Sequence, residues 1–182
     1  MTNGRGTLLL IVGPSGVGKD TLIAGARAAL RDDKRFAFPR RSITRPSDAG
    51  GEDHVAVTPE QFDRAVSENG FSLYWCAHGL QYGLPNEVPD LLANGVNVVA
   101  NISRQVVDLA RLLYPPVRVI SVTASHRELA ARLQERGRET PEEIEARLRR
   151  PADGAPSGRD VVHFRNDAPI DQSVNRFVAL LR

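Results

Sequence analysis

The sequence predicts an α/β fold in which a parallel sheet is layered between crossover helices, and three observations carry that prediction. Apolar, strand-like runs recur at Leu8 to Val12, Val96 to Ala100 and Val117 to Val122. Helical patterns separate them, as parallel strands require, because each strand must be re-entered from the same end. The run Gly13-Pro14-Ser15-Gly16-Val17-Gly18-Lys19-Asp20-Thr21 joins the first strand to the first helix, the place where such folds seat phosphate groups.

Each element follows from its residues. Leu8 to Val12 is apolar at every position, as a strand covered on both faces must be. The first helix is expected to begin near Lys19, to carry Leu22, Ile23, Ala26 and Leu30, and to end in Arg31-Asp32-Asp33-Lys34. A second covers roughly Ser103 to Leu113 and stops at Pro115-Pro116, since proline cannot continue the backbone ladder. Ser125 can cap a third, which carries Leu129 and Leu133. Thr140-Pro141-Glu142-Glu143 reads as a capped start with proline in the first turn and acids beside the positive helix end, followed by Ile144 and Leu148 on one face. Pro151 to Gly158 is a loop, and Ile170 to Leu181 closes the chain as an amphipathic helix.

From about Phe38 to Pro85 the alternation is interrupted by short β-like pieces, the turn Asp48-Ala49-Gly50-Gly51, a capped helix around Thr58 to Ser67, and a cluster of aromatic and polar residues. An insertion placed after the first helix lies above the carboxyl ends of the strands, where ligands bind. It is read as an acceptor-binding lobe. The expected organisation is one domain over residues 1–182, with a core of 7–36 and 86–182, an insertion of about 37–85 and a helical lid of about 134–150.

Composition bounds the function. A chain of 182 residues, 41% hydrophobic, can bury one core and carry a small inserted lobe. No charged leader with an apolar core opens it and no apolar run approaches membrane-spanning length, so a cytoplasmic protein without membrane contact is expected. One cysteine, Cys76, excludes an internal disulfide and a cysteine-based zinc cluster. The formal net charge is +2, basic residues are interspersed with acids, and no aromatic-basic stripe appears, so nucleic acid is not an expected partner. Nothing in the sequence sets the oligomeric state.

The glycine-rich run fits an ATP or GTP user of the P-loop fold. Its glycines let the backbone wrap around phosphates and present N–H donors, and Lys19 supplies a point charge to the outer phosphates. Small phosphorylated molecules are therefore the expected partners, with Mg²⁺ as the metal. The usual pattern has Ser or Thr on magnesium after the lysine; here Asp20 stands there, with Thr21 one position late.

Ser42-Ile43-Thr44-Arg45-Pro46, Gly51-Glu52-Asp53-His54, His78-Gly79-Leu80-Gln81-Tyr82-Gly83, Arg136-Gly137 and Arg147-Leu148 resemble the guanylate kinase fold from about residue 7 to the C-terminus. Within that group the chain is most similar to the ribose 1,5-bisphosphate phosphokinases of phosphonate catabolism. The discriminating residues are Gly18-Lys19-Asp20, the Ile43-to-Pro46 and Gly50-to-His54 segments, Trp75 to Gly83, and Asn101-Ile102-Ser103-Arg104. The resemblance implies an ATP-dependent kinase that phosphorylates the 1-phosphate of ribose 1,5-bisphosphate to give 5-phosphoribosyl 1-diphosphate. A nucleoside monophosphate kinase with relaxed base choice and a non-catalytic binding module are the competing readings.

Departures from guanylate kinase shape the expected site. That family reads guanine with a carboxylate four residues before the position of Leu80 and a hydroxyl just after the Tyr-Gly pair; Cys76 and Leu84 stand there. Losing partners built for a polar substrate costs discrimination on the order of 10⁴. A second phosphate-binding arginine after the Thr-Arg-Pro is replaced by Ser47 and Asp48, and His54 replaces a tyrosine, while Tyr82 keeps its counterpart. Arg41, Arg45 and Arg104 are the expected cations for the acceptor phosphates, with His54, His78, Gln81 and Tyr82 orienting the sugar. Each arginine has a solvated surface role as its alternative, and each histidine a structural one.

Arg136, Arg138 and Arg147 resemble lid arginines that close over the transferring group; ordinary helix-surface pairs such as Glu143 with Arg147 are the alternative. Asn101 follows the middle strand where related enzymes place an aspartate near the metal. Asp20 is therefore expected to take over the magnesium role, freeing Asn101, Ser103 and Arg104 for the acceptor. The alternative is that Asp20 merely complements the helix N-terminus. Val161 to Asp167 resembles the last strand and the turn that approach the donor purine.

Overall fold

In a computed structural model of the chain, residues 4–47, 52–136, 140, 142, 145 and 155–182 are described. The central strand is β1 (Leu8–Val12), buried along its whole length. It is flanked by β7 (Asn97–Asn101) and β8 (Val117–Thr123), both parallel to it, and the sheet is completed by β2 (Phe36–Ala37) beside β7 and β9 (Val161–Arg165) beside β8. All these pairings are parallel, as expected of strands joined by crossovers.

Alternate β1 residues feed opposite layers, the period-two geometry of a strand. Leu9 and Ile11 face α1 (Lys19–Ala29) and α6 (Ile170–Leu181), packing with Leu22, Ala26, Phe177 and Leu181. Leu8, Leu10 and Val12 face the opposite layer, where α3 (Val88–Ala93), α4 (Val107–Leu113) and the inserted lobe contribute Leu92, Ala110 and Trp75. α5 (His126–Arg136) lies over the loop after β1, with Leu129 and Leu133 turned inward.

The inserted lobe is a second, mixed sheet in the order β4-β3-β6-β5, formed by β3 (Ser42–Ile43), β4 (Val55–Ala56), β5 (Phe71–Ala77) and β6 (Leu80–Pro85). β5 and β6 form a hairpin whose turn residues, His78 and Gly79, both have positive φ (53° and 74°), the twist a two-residue hairpin favours. α2 (Pro59–Ser67) covers this sheet. Its start carries a reciprocal cap in which the Thr58 side chain accepts from the Gln61 N–H (3.2 Å) and the Gln61 side chain accepts from the Thr58 N–H (2.8 Å).

The expected strands at 96–100 and 117–122 occupy 97–101 and 117–123. The expected second helix opens as a short 3-10 turn, Arg104–Val106, before α4. β2 and α3 were not anticipated: β2 has only two residues and α3 six, too short for a hydrophobic period to develop. The turn at 48–51 and most of the expected helix after Thr140 lie outside the described residues. Among those described, no helix is long and apolar enough to cross a membrane.

Phe177 is fully buried between α6 and the sheet and meets Phe164 edge-on at 5.6 Å. Phe177→Ala is expected to destabilise the fold by about 3–5 kcal/mol in urea unfolding; a loss below ~1 kcal/mol would contradict this packing.

Candidate active site

The loop after β1 is bent by its glycines and pinned from outside. A side chain on Gly13 (φ 149°) would come within 2.3 Å of the Val122 carbonyl oxygen, and one on Gly18 (φ 92°) within 2.6 Å of Asn166 Nδ2. Val17 between them is fully buried. Its carbonyl accepts hydrogen bonds from Asn166 Nδ2 (2.8 Å) and Arg132 Nη1 (3.2 Å), while Arg132 Nη2 donates to the Asn166 carbonyl (2.9 Å). Two elements distant in sequence, α5 and the turn after β9, therefore converge on one carbonyl of the loop.

Lys19 Nζ donates to the carbonyls of Gly13 (2.7 Å) and Pro14 (2.9 Å). Burial lowers its pKa to about 8; among the neighbouring charges, Asp20 and Glu52 oppose that shift, and Arg41 and Arg104 add to it. One step along the helix, Asp20 Oδ1 accepts from Asn101 Nδ2 at 2.9 Å. The expectation that Asp20 frees Asn101 and Ser103 for an acceptor is not met. The Asn101 amide is engaged by Asp20 rather than freed for an acceptor, and Ser103 Oγ accepts from the Gln105 N–H (3.3 Å) as the cap of the 3-10 turn.

Asp20, Thr21, Arg41, Glu52 and Asn101 line a cavity of about 320 Å³ between α1 and the inserted lobe. Arg41 is buried, with Nε on Glu52 Oε2 (3.1 Å) and Nη2 on Glu52 Oε1. Its guanidinium also lies 5.5 Å from the Trp75 ring and 5.1 Å from the Tyr82 ring, which stack on each other. Asp53 is held by Arg27 (3.0 Å) and Arg40 (2.9 Å). Arg45 keeps a buried Nε with no hydrogen-bond partner among the described residues, an arrangement that calls for an acceptor.

Three expected sugar-orienting residues are placed differently. His54 is buried with Nδ1 2.9 Å from the Glu52 carbonyl oxygen and Nε2 3.1 Å from the Arg45 carbonyl oxygen, so its ring clasps the backbone. Gln81 turns to the other face of β6 from Tyr82, because successive strand residues alternate, and donates to Asp63 of α2 at 3.1 Å. His78 is exposed at the tip of the hairpin. Tyr82 stays on the inner face beside Arg41.

Cys76 requires a correction. It is exposed on the opposite face from Trp75 and cannot stand beside Leu84. The residue paired directly with Leu84 is Leu73, and both are buried. Counting positions in the motif missed this because strand register, not sequence distance alone, sets which side chains share a face.

A second cavity of about 310 Å³ adjoins the loop, lined by Gly16, Gly18, Thr21, Arg132, Asn166 and Ser173 among others. Arg132 is not singled out by the sequence, and Asn166 only as part of the Val161-to-Asp167 run that resembles the approach to the donor purine. Arg132 stands one helical turn before Arg136, so its spacing from the expected lid cations was a usable signal. Arg136 ends α5; Arg138 and Arg147 lie outside the described residues.

The guanylate kinase family profile matches residues 5–162. A ribose 1,5-bisphosphate phosphokinase PhnN of Brucella melitensis is 44% identical over 174 residues, covering 96% of this chain and 91% of that protein. A bifunctional ribose 1,5-bisphosphokinase-thymidine phosphorylase of Azorhizobium caulinodans is 46% identical over 98% of this chain, which spans only 26% of that longer protein. Among solved structures, a guanylate kinase from Anaplasma phagocytophilum matches with a TM-score of 0.64 over 98% of this chain and 86% of its own at 19% identity, which shows the fold.

The lowered pKa of Lys19 gives two measurable consequences. A lysine Cε signal assigned by Lys19→Arg is expected to titrate near pH 8. Between about 8 and the ordinary 10.5 the unfolded chain binds more protons at this position than the native one, so the Lys19 contribution to stability rises with pH across that window. A Lys19 signal that titrates only near its ordinary value would contradict the burial.

Proposed function

The chain belongs to the guanylate kinase family and, within it, to the ribose 1,5-bisphosphate phosphokinases, and from that premise we propose that it transfers the γ-phosphoryl group of ATP to the 1-phosphate of ribose 1,5-bisphosphate. The products are 5-phosphoribosyl 1-diphosphate and ADP, and the proposed setting is phosphonate catabolism in the cytoplasm. The observation that carries this reading is the inner face of the inserted lobe. The pair at its centre is Leu73 and Leu84, beside Trp75 and Tyr82, and an aliphatic pair offers no hydrogen bond to a purine edge.

In this reading the acceptor phosphate oxygen forms a bond to the γ-phosphorus in line, and the bond from that phosphorus to the bridging oxygen of ADP breaks. No side-chain base is needed, since the phosphate oxygen is already anionic near neutral pH. The work falls to positioning and charge. The bent loop offers backbone N–H donors, Lys19 turns from the Gly13 and Pro14 carbonyls toward the outer phosphates, and Arg45, with its unpartnered Nε, meets the acceptor phosphate. Arg104, whose charge helps lower the Lys19 pKa, is proposed as a further cation for the acceptor phosphates. The cavity lined by Arg132 and Asn166 is assigned to the donor nucleoside. Arg136, Arg138 and Arg147 are proposed as lid cations on family resemblance.

The oxygen chemistry of the site fits Mg²⁺. Asp20 is fixed by Asn101, and Thr21 and Glu52 line the same cavity. Among the described residues, no group of three or more His, Cys, Asp or Glu forms a cage for a metal, which suits an ion held by one or two carboxylates plus substrate phosphates. Asp20 is the residue proposed to hold it, directly or through water, with Asn101 orienting the carboxylate. When bound, the ion would offset negative charge on the β- and γ-phosphates.

Two experiments test the reading. With Mg-ATP and ribose 1,5-bisphosphate, GMP, AMP or UMP offered in parallel, ADP release is expected with the sugar alone; comparable turnover of a nucleotide would favour the monophosphate kinase reading, and none with any acceptor the binding module. Asp20→Asn removes the charge but keeps the size, and is expected to raise the Mg²⁺ concentration for half-maximal turnover by about tenfold or more. Asp20→Ser is expected to shift it less, and an unchanged Mg²⁺ dependence in both variants would refute the role of Asp20.

A further inference from the structure

We infer that Glu52 reads the hydroxyl groups of the acceptor sugar, and that Arg41 is the residue that positions Glu52 rather than a ligand of an acceptor phosphate. The inference rests on the reading of the acceptor as a pentose bisphosphate and names which group of this chain selects the pentose.

Arg41 is held on one edge and on its face. Its Nε and Nη2 both meet the Glu52 carboxylate, its guanidinium lies over the Trp75 and Tyr82 rings, and its side chain is only 8% exposed. A guanidinium held on its donor edge and on its face is a rigid support. To bind a phosphate with that edge it would have to abandon Glu52, leaving a largely buried carboxylate without its counter-charge.

Glu52 is in the opposite position. Its side chain is 16% exposed and lines the cavity with Asp20, Thr21 and Asn101. A carboxylate has about four lone-pair directions, and a bidentate guanidinium takes two of them. The other two suit a pair of neighbouring hydroxyl donors. Of the other carboxylates of the cavity, Asp53 is shared between Arg27 and Arg40, and Asp20, oriented by Asn101, is the one proposed for Mg²⁺.

Charge favours the same assignment. Asp20, Glu52 and Asp53 line this cavity together with Arg27 and Arg41, so a bisphosphate entering it meets carboxylates as well as guanidiniums. A carboxylate neutralised by a bidentate arginine and facing neutral O–H donors can sit beside phosphates at little electrostatic cost. The cis-diol of ribose supplies such donors, and a 2-deoxy sugar lacks one of them.

The test compares ribose 1,5-bisphosphate with 2-deoxyribose 1,5-bisphosphate. The wild-type protein is expected to favour ribose in kcat/KM by about 10²-fold or more, and Glu52→Gln to shrink that ratio below about fivefold. Arg41→Lys, which cannot hold Glu52 bidentately, is expected to give a ratio between the two. A structural role for Glu52 would lower both substrates alike, so an unchanged ratio in Glu52→Gln overturns the inference, as does a wild-type protein that accepts both sugars equally. Should Glu52→Gln fail to fold by thermal melting, Glu52→Asp keeps the charge, withdraws it by one methylene, and carries the same comparison. If the wild-type protein turns over neither sugar, the proposed function fails, and calorimetric affinities for ribose 5-phosphate and 2-deoxyribose 5-phosphate decide the role of Glu52. A ribose preference of about tenfold that Glu52→Gln abolishes supports it; equal affinities refute it.

Discussion

The carbonyl of Val17 is the point on which the site depends. It lies in a loop that must turn its N–H groups inward, between a strand and a helix that are both fixed in the core, and it accepts donors from Asn166 and Arg132. Those two residues arrive from the turn after β9 and from α5, and Arg132 also holds the Asn166 carbonyl. The loop's shape is thus set by tertiary contacts and by the positive φ of its glycines together. Lys19 begins the helix immediately after it, and its bonds to the Gly13 and Pro14 carbonyls place its ammonium inside the curve.

Around that loop the charges form one connected system. Lys19 responds to Asp20, Glu52, Arg41 and Arg104, which come from α1, the inserted lobe and the turn after β7. Asp20 and Asn101, 81 residues apart in sequence, meet across the head of the parallel sheet. The lobe therefore does more than cover the strand ends. Its Arg41–Glu52 unit, backed by Trp75 and Tyr82, brings an oriented carboxylate to the cavity beside the phosphate loop. Its Leu73–Leu84 pair leaves the centre of its inner face without a hydrogen-bonding group.

Much of this was legible in the sequence where the local signal is strong. Predominantly apolar, strand-like runs marked β1, β7 and β8 to within a residue, the loop announced itself by its glycines and Lys19, and the change of pattern after residue 38 marked the inserted lobe. What was not legible depended on partners remote in the chain. Cys76 could not be placed without the register of β5 against β6, and the bonds of Arg132 and Asn166 to the Val17 carbonyl have no signal in the local sequence. His54 and Gln81 carry groups suited to a ligand, yet in the fold they bond the backbone and Asp63. Arg41 was recognised as a site residue, but that its charge is committed to Glu52 follows only from the packing of the two rings over it.

The central claim is that the acceptor taken beside the phosphate loop is a phosphorylated sugar, and that the Leu73–Leu84 centre of the inserted lobe's inner face offers a purine no hydrogen bond. The most direct measurement is a pair of crystal structures with a non-hydrolysable ATP analogue, one with ribose 1,5-bisphosphate and one with GMP at the same concentration. We expect the sugar to be ordered in the cavity beside Glu52 and Arg45, and GMP to be absent or to leave its base without side-chain hydrogen bonds. A guanine ring ordered against the inserted lobe by hydrogen bonds from its side chains would contradict the claim.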